Sequence, residues 1–339
     1  MRRQSTISDI ARAVNVSKTT ISRYINGHFE SMSAETKNKI EKAILELRFR
    51  PNNLARSLKS KRSRLIGIVT HTLEYQVAAM FVRGLHEICV DNGYSTIICS
   101  SDNLLDREIE ELKMCLSQQV DGIALIPVNI DCTYYHQIHE NGTPIVMCNR
   151  YREDWKYDGV FVDNVALSRN ALKHLIENGY NRIALFTDNH LKESNKSFRE
   201  EAFIDFVTQN CGINGRDMLY VVEKKPELVR SAILDMMNLY PDDRKAIFAI
   251  NTNTLLLTLT EIKKLELRIP EEIGILGYDL IGWTDLVYNG ITSLNQPFYE
   301  LGVTAGRQLI KRINNPELFK RDEIWLTGTI DYRDSTKLF

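Results

Sequence analysis

The sequence predicts two kinds of architecture in one chain: an N-terminal all-α helix-turn-helix headpiece with a hinge, then an α/β core of two lobes. Three observations carry this. Residues 1–64 hold 15 Lys/Arg against 5 Asp/Glu, whereas the remainder holds 28 against 39, so a net charge of −1 conceals a basic head on an acidic body. Apolar residues in the head recur at helical spacing, as in Ile40, Ala43, Ile44 and Leu47. From Leu65 onward, short β-branched runs bounded by Gly, Asp, Asn or Pro alternate with amphipathic segments. A length of 339 residues suits two or three compact units, and 43% hydrophobic with 26% charged residues excludes low-complexity, collagen-like and wholly disordered chains.

The headpiece elements follow in order. Thr6-Ile-Ser-Asp9 has the form of a capping box ahead of Ile10, Ala13 and Val14. Asn15 and Val16 interrupt, and Ser17 is a second N-cap for a helix from Lys18 to Ile25, stopped at Asn26-Gly27. Ile21, Tyr24 and Ile25 face inward on that helix. Its outward stripe is Lys18, Thr19, Ser22, Arg23 and Asn26, all polar and two of them cationic. A third helix starts near Ser33. Arg binds guanine bidentately, Lys and Thr reach base edges, and Ser or Asn hold phosphates, so the stripe suits a DNA groove. From residue types alone, a solvated face on any small helical bundle reads the same way.

Residues 49–64 then give a Pro/Asn break, a short amphipathic stretch and a basic tail. Together, VSKTTISRYING and RPNNLARSLKSKRSRLIGIV resemble the lactose-repressor/galactose-repressor family of bacterial transcription regulators, and the resemblance extends along the whole chain. It implies base reading by Lys18, Thr19 and Arg23, with backbone contacts from Ser17, Ser22 and Asn26; Thr6 joins the DNA-contacting set. It also implies a hinge helix over 52–58 that orders on operator DNA, with Asn52, Ala55 and Arg56 at the groove. Leu58 matches the apolar wedge of that helix, which unstacks a central minor-groove step at a cost of a few kcal/mol and bends the duplex.

The core reads as strands LIGIVT, YSTIICS, DGIALIP, PIVMC, GVFVDN, RIALFT, AIFAI and IGILGY, with helices such as Arg107–Gln119 and Asn164–Asn178 between them. Strands buried on both faces with crossover helices mean parallel sheets, too many for one open sheet, with ligands at the carboxyl ends of the strands. The resemblance names a periplasmic-binding-protein-like core crossed three times by the chain. The expected organisation is a headpiece over 1–50, a hinge and linker over 51–64 and a core over 65–339. Within the core the N-lobe is expected at about 65–162 and 293–323, and the C-lobe at about 163–292 and 324–339. IWLTGTIDYRDST resembles the family's terminal strand, with no heptad tail after it, so a homodimer is expected.

No GxxxxGK[ST], GxSxG, HExxH or GxGxxG occurs, so an enzyme is not expected, nor a cofactor. His136 and His139 stand three apart without a Cys/His cluster, so no metal site is expected. The resemblance places an effector cleft at Arg199, Asn149-Arg150, Asn251, Asp279 and Gln296, with His71 and Tyr75 on the loop after the first strand. Asn149 and Thr252 stand where the family commonly has Asp. With two acids gone and Arg199 and Arg150 kept, a carboxylate-bearing sugar fits, because guanidinium is the best match to carboxylate. The motifs also resemble the subgroup governing keto-deoxy-sugar-acid breakdown.

The expected function is a sequence-specific DNA-binding regulator, a repressor released from a pseudo-palindromic operator by a sugar or sugar acid. Alternatives are a regulator signalled by a phosphoprotein partner and a soluble sugar-binding protein, the latter disfavoured by the basic head. No run approaches the length of a membrane span, and MRRQSTISDIARAV lacks the apolar core of a secretory signal. The six cysteines form no CxxC pair and read as buried free thiols, so a cytoplasmic protein with no membrane partner is expected.

Overall fold

The computed structural model describes residues 5–25, 27–30, 32–49, 62–189, 193–280, 282–288, 290–317 and 320–337. The chain divides into two compact units, Met1–Ser63 and Arg64–Phe339. Asn26, Asn52, Ala55, Arg56 and Leu58 lie outside the described residues, and so does almost all of the expected hinge over 51–64.

In the first unit, α1 (Ile7–Val14) opens on a complete capping box: the Thr6 hydroxyl accepts from the Asp9 amide, and the Asp9 carboxylate accepts from the Thr6 amide at 2.9 Å. Asn15, at φ 54°, ends the helix in the left-handed region. Ser17 Oγ accepts the Thr20 amide at 3.1 Å and starts α2 (Lys18–Ile25). Ser33 caps α3 (Ala34–Glu46) in the same way. Ile10, Ala11, Ile21, Ile40, Ala43 and Phe49 form the small core. Ala13, expected inside, is exposed; the stripe runs through Ala11, which lies 100° from Ile10 and beside Val14.

The second unit holds two six-stranded sheets. The first has β1 (Leu65–Thr70), β2 (Ser95–Ser100), β3 (Gly122–Leu125), β4 (Ile145–Cys148), β5 (Asp158–Val162) and β11 (Glu323–Leu326), in the order β11-β5-β4-β3-β1-β2. The second has β6 (Arg182–Thr187), β7 (Leu219–Val221), β8 (Lys245–Ala249), β9 (Gly274–Tyr278), β10 (Thr292–Asn295) and β12 (Thr329–Asp331), in the order β12-β10-β9-β8-β6-β7. All pairings are parallel except β10 with β12, which is antiparallel. The lobe boundaries expected at 292/293 and 323/324 therefore shift: β10 belongs to the second sheet and β11 to the first. The chain recrosses after Asn295 and again between Leu326 and Thr329. The single terminal strand expected there is two short strands, one in each sheet.

The intervening helices are α4 (Gln76–Asp91), α5 (Leu105–Ser117), α6 (Tyr134–Glu140), α7 (Asn164–Glu177), α8 (Ser194–Asn210), α9 (Pro226–Leu239), α10 (Thr252–Lys264) and α11 (Phe298–Asn314). Separate apolar clusters fill both faces of the first sheet, and one large cluster surrounds the second. Helices α4 and α11 touch backbone to backbone: a Cβ at Gly84 would lie 2.2 Å from the Tyr299 carbonyl oxygen, and one at Gly302 would lie 2.1 Å from that of Phe81. The six cysteines are free, five buried and Cys211 half-buried. No helix among the described residues is long and apolar enough to cross a membrane.

Candidate nucleic-acid interface and effector cleft

On α2, Ile21 is buried while Lys18, Thr19 and Arg23 are exposed and Ser22 is half-buried. The two cations and Thr19 sit one turn apart on a single face, because positions i, i+1, i+4 and i+5 share a side of a 3.6-residue helix. Thr6 and Ser17 use their hydroxyls to cap α1 and α2, so their first task is to orient the helices.

In the second unit, His71, Tyr75, Asn149, Arg150, Arg199, Asn251, Asp279 and Gln296 all line one cavity of about 720 Å³. The topology explains the convergence. His71, Asn149 and Arg150 follow β1 and β4, and Asn251, Asp279 and Gln296 follow β8, β9 and β10, so the carboxyl ends of both sheets face the same space. Asn149 and Asp279 leave their strands with φ of 64° and 58°, conformations that an Asn or Asp side chain tolerates.

Arg199 is 2% exposed and pinned. Its Nε donates to Asn164 Oδ1 at 2.8 Å and its Nη1 to the Ile250 carbonyl at 2.7 Å, while the guanidinium lies 3.6 Å over the Tyr278 ring. Its Nη2 is buried without a partner. Arg150 donates through Nη1 to the Pro127 and Val128 carbonyls at 2.5 and 2.7 Å, and through Nη2 to Glu193 at 2.8 Å. Asn251 accepts the Thr254 amide as the cap of α10 and donates to Asp188 at 3.0 Å. Asp279 accepts the Gln296 backbone and side-chain N–H groups at 2.9 and 2.5 Å. Burial pushes its pKa up to about 6 against the pull of Arg199 and these hydrogen bonds. Desolvation, with Arg150 and Lys196 nearby, holds His71 down at about 3, so its ring is neutral and its Nδ1 is a buried, unpartnered atom. The Tyr75 hydroxyl accepts from Asn253 Nδ2 at 2.8 Å, joining the loop after β1 to α10 of the other lobe.

The replacement of two acids, at 149 and 252, does not leave the cleft without carboxylates. Asp188, Glu193 and Asp279 all line it, and Lys196 bridges the first two, 3.0 Å from both Asp188 oxygens and 3.1 Å from Glu193 Oε1. Asp188 follows β6 just as Asn149 follows β4, and the strand-end rule, applied to RIALFT, finds it. Thr252 spends its hydroxyl on the Tyr278 carbonyl at 3.0 Å. Beneath the cleft, Glu108 of α5 is fully buried, accepting from the Val128 amide at 2.7 Å and from the Tyr135 hydroxyl. Desolvation raises its pKa to about 7, against those two hydrogen bonds and Arg150. His136 and His139 pack about the Tyr157 ring, and no group of three metal-ligating side chains occurs among the described residues.

The sequence model for "Bacterial regulatory proteins, lacI family" matches residues 6–52, and that for "Periplasmic binding protein-like domain" matches residues 172–336. The HTH-type transcriptional regulator KdgR of Bacillus subtilis is 33% identical over 311 residues, 91% of this chain and 91% of that one. The regulator PtxS of Pseudomonas aeruginosa is 31% identical over 314 residues, 92% of this chain and 90% of its own. Among solved structures, the lac repressor dimer bound to operator and the anti-inducer ONPF superposes with a TM-score of 0.81 at 20% identity, covering 99% of this chain and 100% of that one; this likeness shows the fold.

Proposed function

The chain belongs to the lacI family of bacterial regulatory proteins and is a DNA-binding transcriptional regulator, not an enzyme; from that premise we propose that it is a repressor released from its operator when a small sugar acid occupies the cleft. The observation that carries the effector class is the buried, unpartnered Nη2 of Arg199 at the cavity wall, a donor that an ionised ligand group satisfies. Around it, His71 Nδ1, Asn149 Oδ1, Asn195 Oδ1 and Gln296 Oε1 are also buried and unpartnered, a neutral set suited to the hydroxyls of a sugar. The relatedness to KdgR and PtxS agrees with the sequence resemblance to regulators of keto-deoxy-sugar-acid breakdown.

In this reading Lys18, Thr19 and Arg23 read bases, and a cytoplasmic homodimer meets a pseudo-palindromic operator with two headpieces. The segment 51–64 acts as hinge, with Leu58 as wedge; a Leu58→Ala variant that bends operator DNA as the parent does removes that role. Coupling needs only that effector bind the DNA-incompetent state better, by about 1–3 kcal/mol. The test is titration of an operator complex with neutral sugars and with sugar acids, 3-deoxy-2-keto acids included. Release by acids supports the reading; release by neutral sugars alone removes the carboxylate argument.

A further inference from the structure

Resting on that reading of the cleft, we propose that Glu193 is a built-in counter-ion that limits the effector to one anionic group. The site then takes an aldonic-type monoacid and discriminates against the aldaric diacid of the same carbon skeleton.

Among the described residues four cations line the cavity: Lys224, which is exposed, and the enclosed Arg150, Lys196 and Arg199. Two of the enclosed cations already hold carboxylates of the chain. Arg150 Nη2 donates to Glu193 Oε2 at 2.8 Å, and Lys196 Nζ donates to Glu193 Oε1 at 3.1 Å and to both Asp188 oxygens at 3.0 Å. Arg199 differs: its two hydrogen bonds end on neutral acceptors, Asn164 Oδ1 and the Ile250 carbonyl, and its remaining Nη2 is buried and open. Among the enclosed cations, one anion position is thus filled from within, at Arg150, and one is vacant, at Arg199. Away from the exposed Lys224, whose charge water screens, a second ligand carboxylate would have to settle against Glu193, Asp188 or Asp279, and like charges repel strongly where water screens them poorly.

Glu193 is placed for this task. It stands at the N-cap of α8, in the second lobe, yet its side chain makes no capping hydrogen bond and instead reaches Arg150 of the first. Its side chain is 24% exposed while that of Arg150 is 2% exposed, so the carboxylate forms cavity wall and the guanidinium lies behind it. Removing the negative charge at Glu193 therefore exposes a second cationic position without emptying any core.

The experiment is calorimetric titration of the full-length protein with matched six-carbon series: glucitol, gluconate and glucarate; galactitol, galactonate and galactarate; and 3-deoxy-2-keto-gluconate. In the parent protein a monoacid binds and its diacid binds at least tenfold more weakly. The isosteric Glu193→Gln variant raises the diacid's affinity and brings the pair within about threefold, whereas Glu193→Asp, which keeps the charge, retains the preference. A diacid that binds the parent as tightly as its monoacid overturns the inference and leaves the sugar-acid reading standing; so does an unchanged preference in Glu193→Gln. Binding of the alditols without any acid, or of none of the compounds, removes the sugar-acid reading and this inference with it.

Discussion

Glu108→Gln should make the protein more stable at alkaline pH and change it little in mild acid. Glu108 is 0% exposed, and burial lifts its pKa from an ordinary 4.5 to about 7. The groups facing it are Tyr135 and Cys132, Arg150 from the loop after β4, and the Val128 amide. A carboxyl raised in this way binds its proton more tightly folded than unfolded, so its contribution is full below about pH 4.5 and is lost as pH rises through 7. At about 1.4 kcal/mol per pH unit, the loss between pH 5 and pH 8 comes to about 2–3 kcal/mol. Glutamine cannot ionise; its amide oxygen can still accept from the Val128 N–H, while its NH₂ meets the Tyr135 oxygen and forces that hydroxyl to turn. The assay is urea denaturation of parent and variant at pH 5, 6.5 and 8. The difference, variant minus parent, should climb by about 2–3 kcal/mol across that range. A flat difference, or one that falls with pH, would show that Glu108 stays ionised against Arg150 throughout and would refute the burial argument.

Arg199→Ala should strand Asn164 Oδ1 and the Ile250 carbonyl, at about 1–3 kcal/mol for each buried acceptor, with partial recovery in Arg199→Lys; an unmoved urea midpoint in the Ala variant would contradict the pinning described above. Arg23→Ala should weaken operator binding by about 1–3 kcal/mol and relax preference at one base pair, as read by binding to an operator library; equal losses on operator and random DNA would leave it only a phosphate contact. Thr6→Ala should lower headpiece stability by about 1 kcal/mol through loss of the capping box, followed by the melting of α1 in far-ultraviolet circular dichroism; an unchanged melt would mean that Asp9 alone holds the turn.

The fold was legible where the chain's chemistry is locally unambiguous. Seven of the eight apolar runs, from LIGIVT to IGILGY, are buried strands because no other use of such residues satisfies both faces of a covered sheet, whereas YSTIICS forms β2 at the sheet edge and is largely exposed or half-buried. The cleft was legible through the family resemblance, which names its residues, and their places near the carboxyl ends of the strands agree with the rule that ligands bind there. The strand Leu219–Val221 was not, since two half-buried residues and an exposed one at a sheet margin carry no periodicity. Nor was the split of the C-terminal segment between two sheets, because only pairing with β5 and β10 distinguishes Glu323–Leu326 from Thr329–Asp331. Glu108 looked like the polar side of an amphipathic helix. Its burial depends on Tyr135 and the turn at Val128, contacts twenty or more residues away that no local pattern reports.

The glycine crossing of α4 and α11 has a mechanical meaning. Tyr75, at the N-cap of α4, and Phe298, the first residue of α11, both stand at the cavity wall. With Gly84 seated on the Tyr299 carbonyl and Gly302 on that of Phe81, neither helix can slip along the other without driving backbone into backbone. Any push that a ligand gives to one helix end is therefore shared by both. At these two crossings no side chain stands between the backbones that could repack and absorb such a push before it reaches the far ends near Asp91 and Asn314.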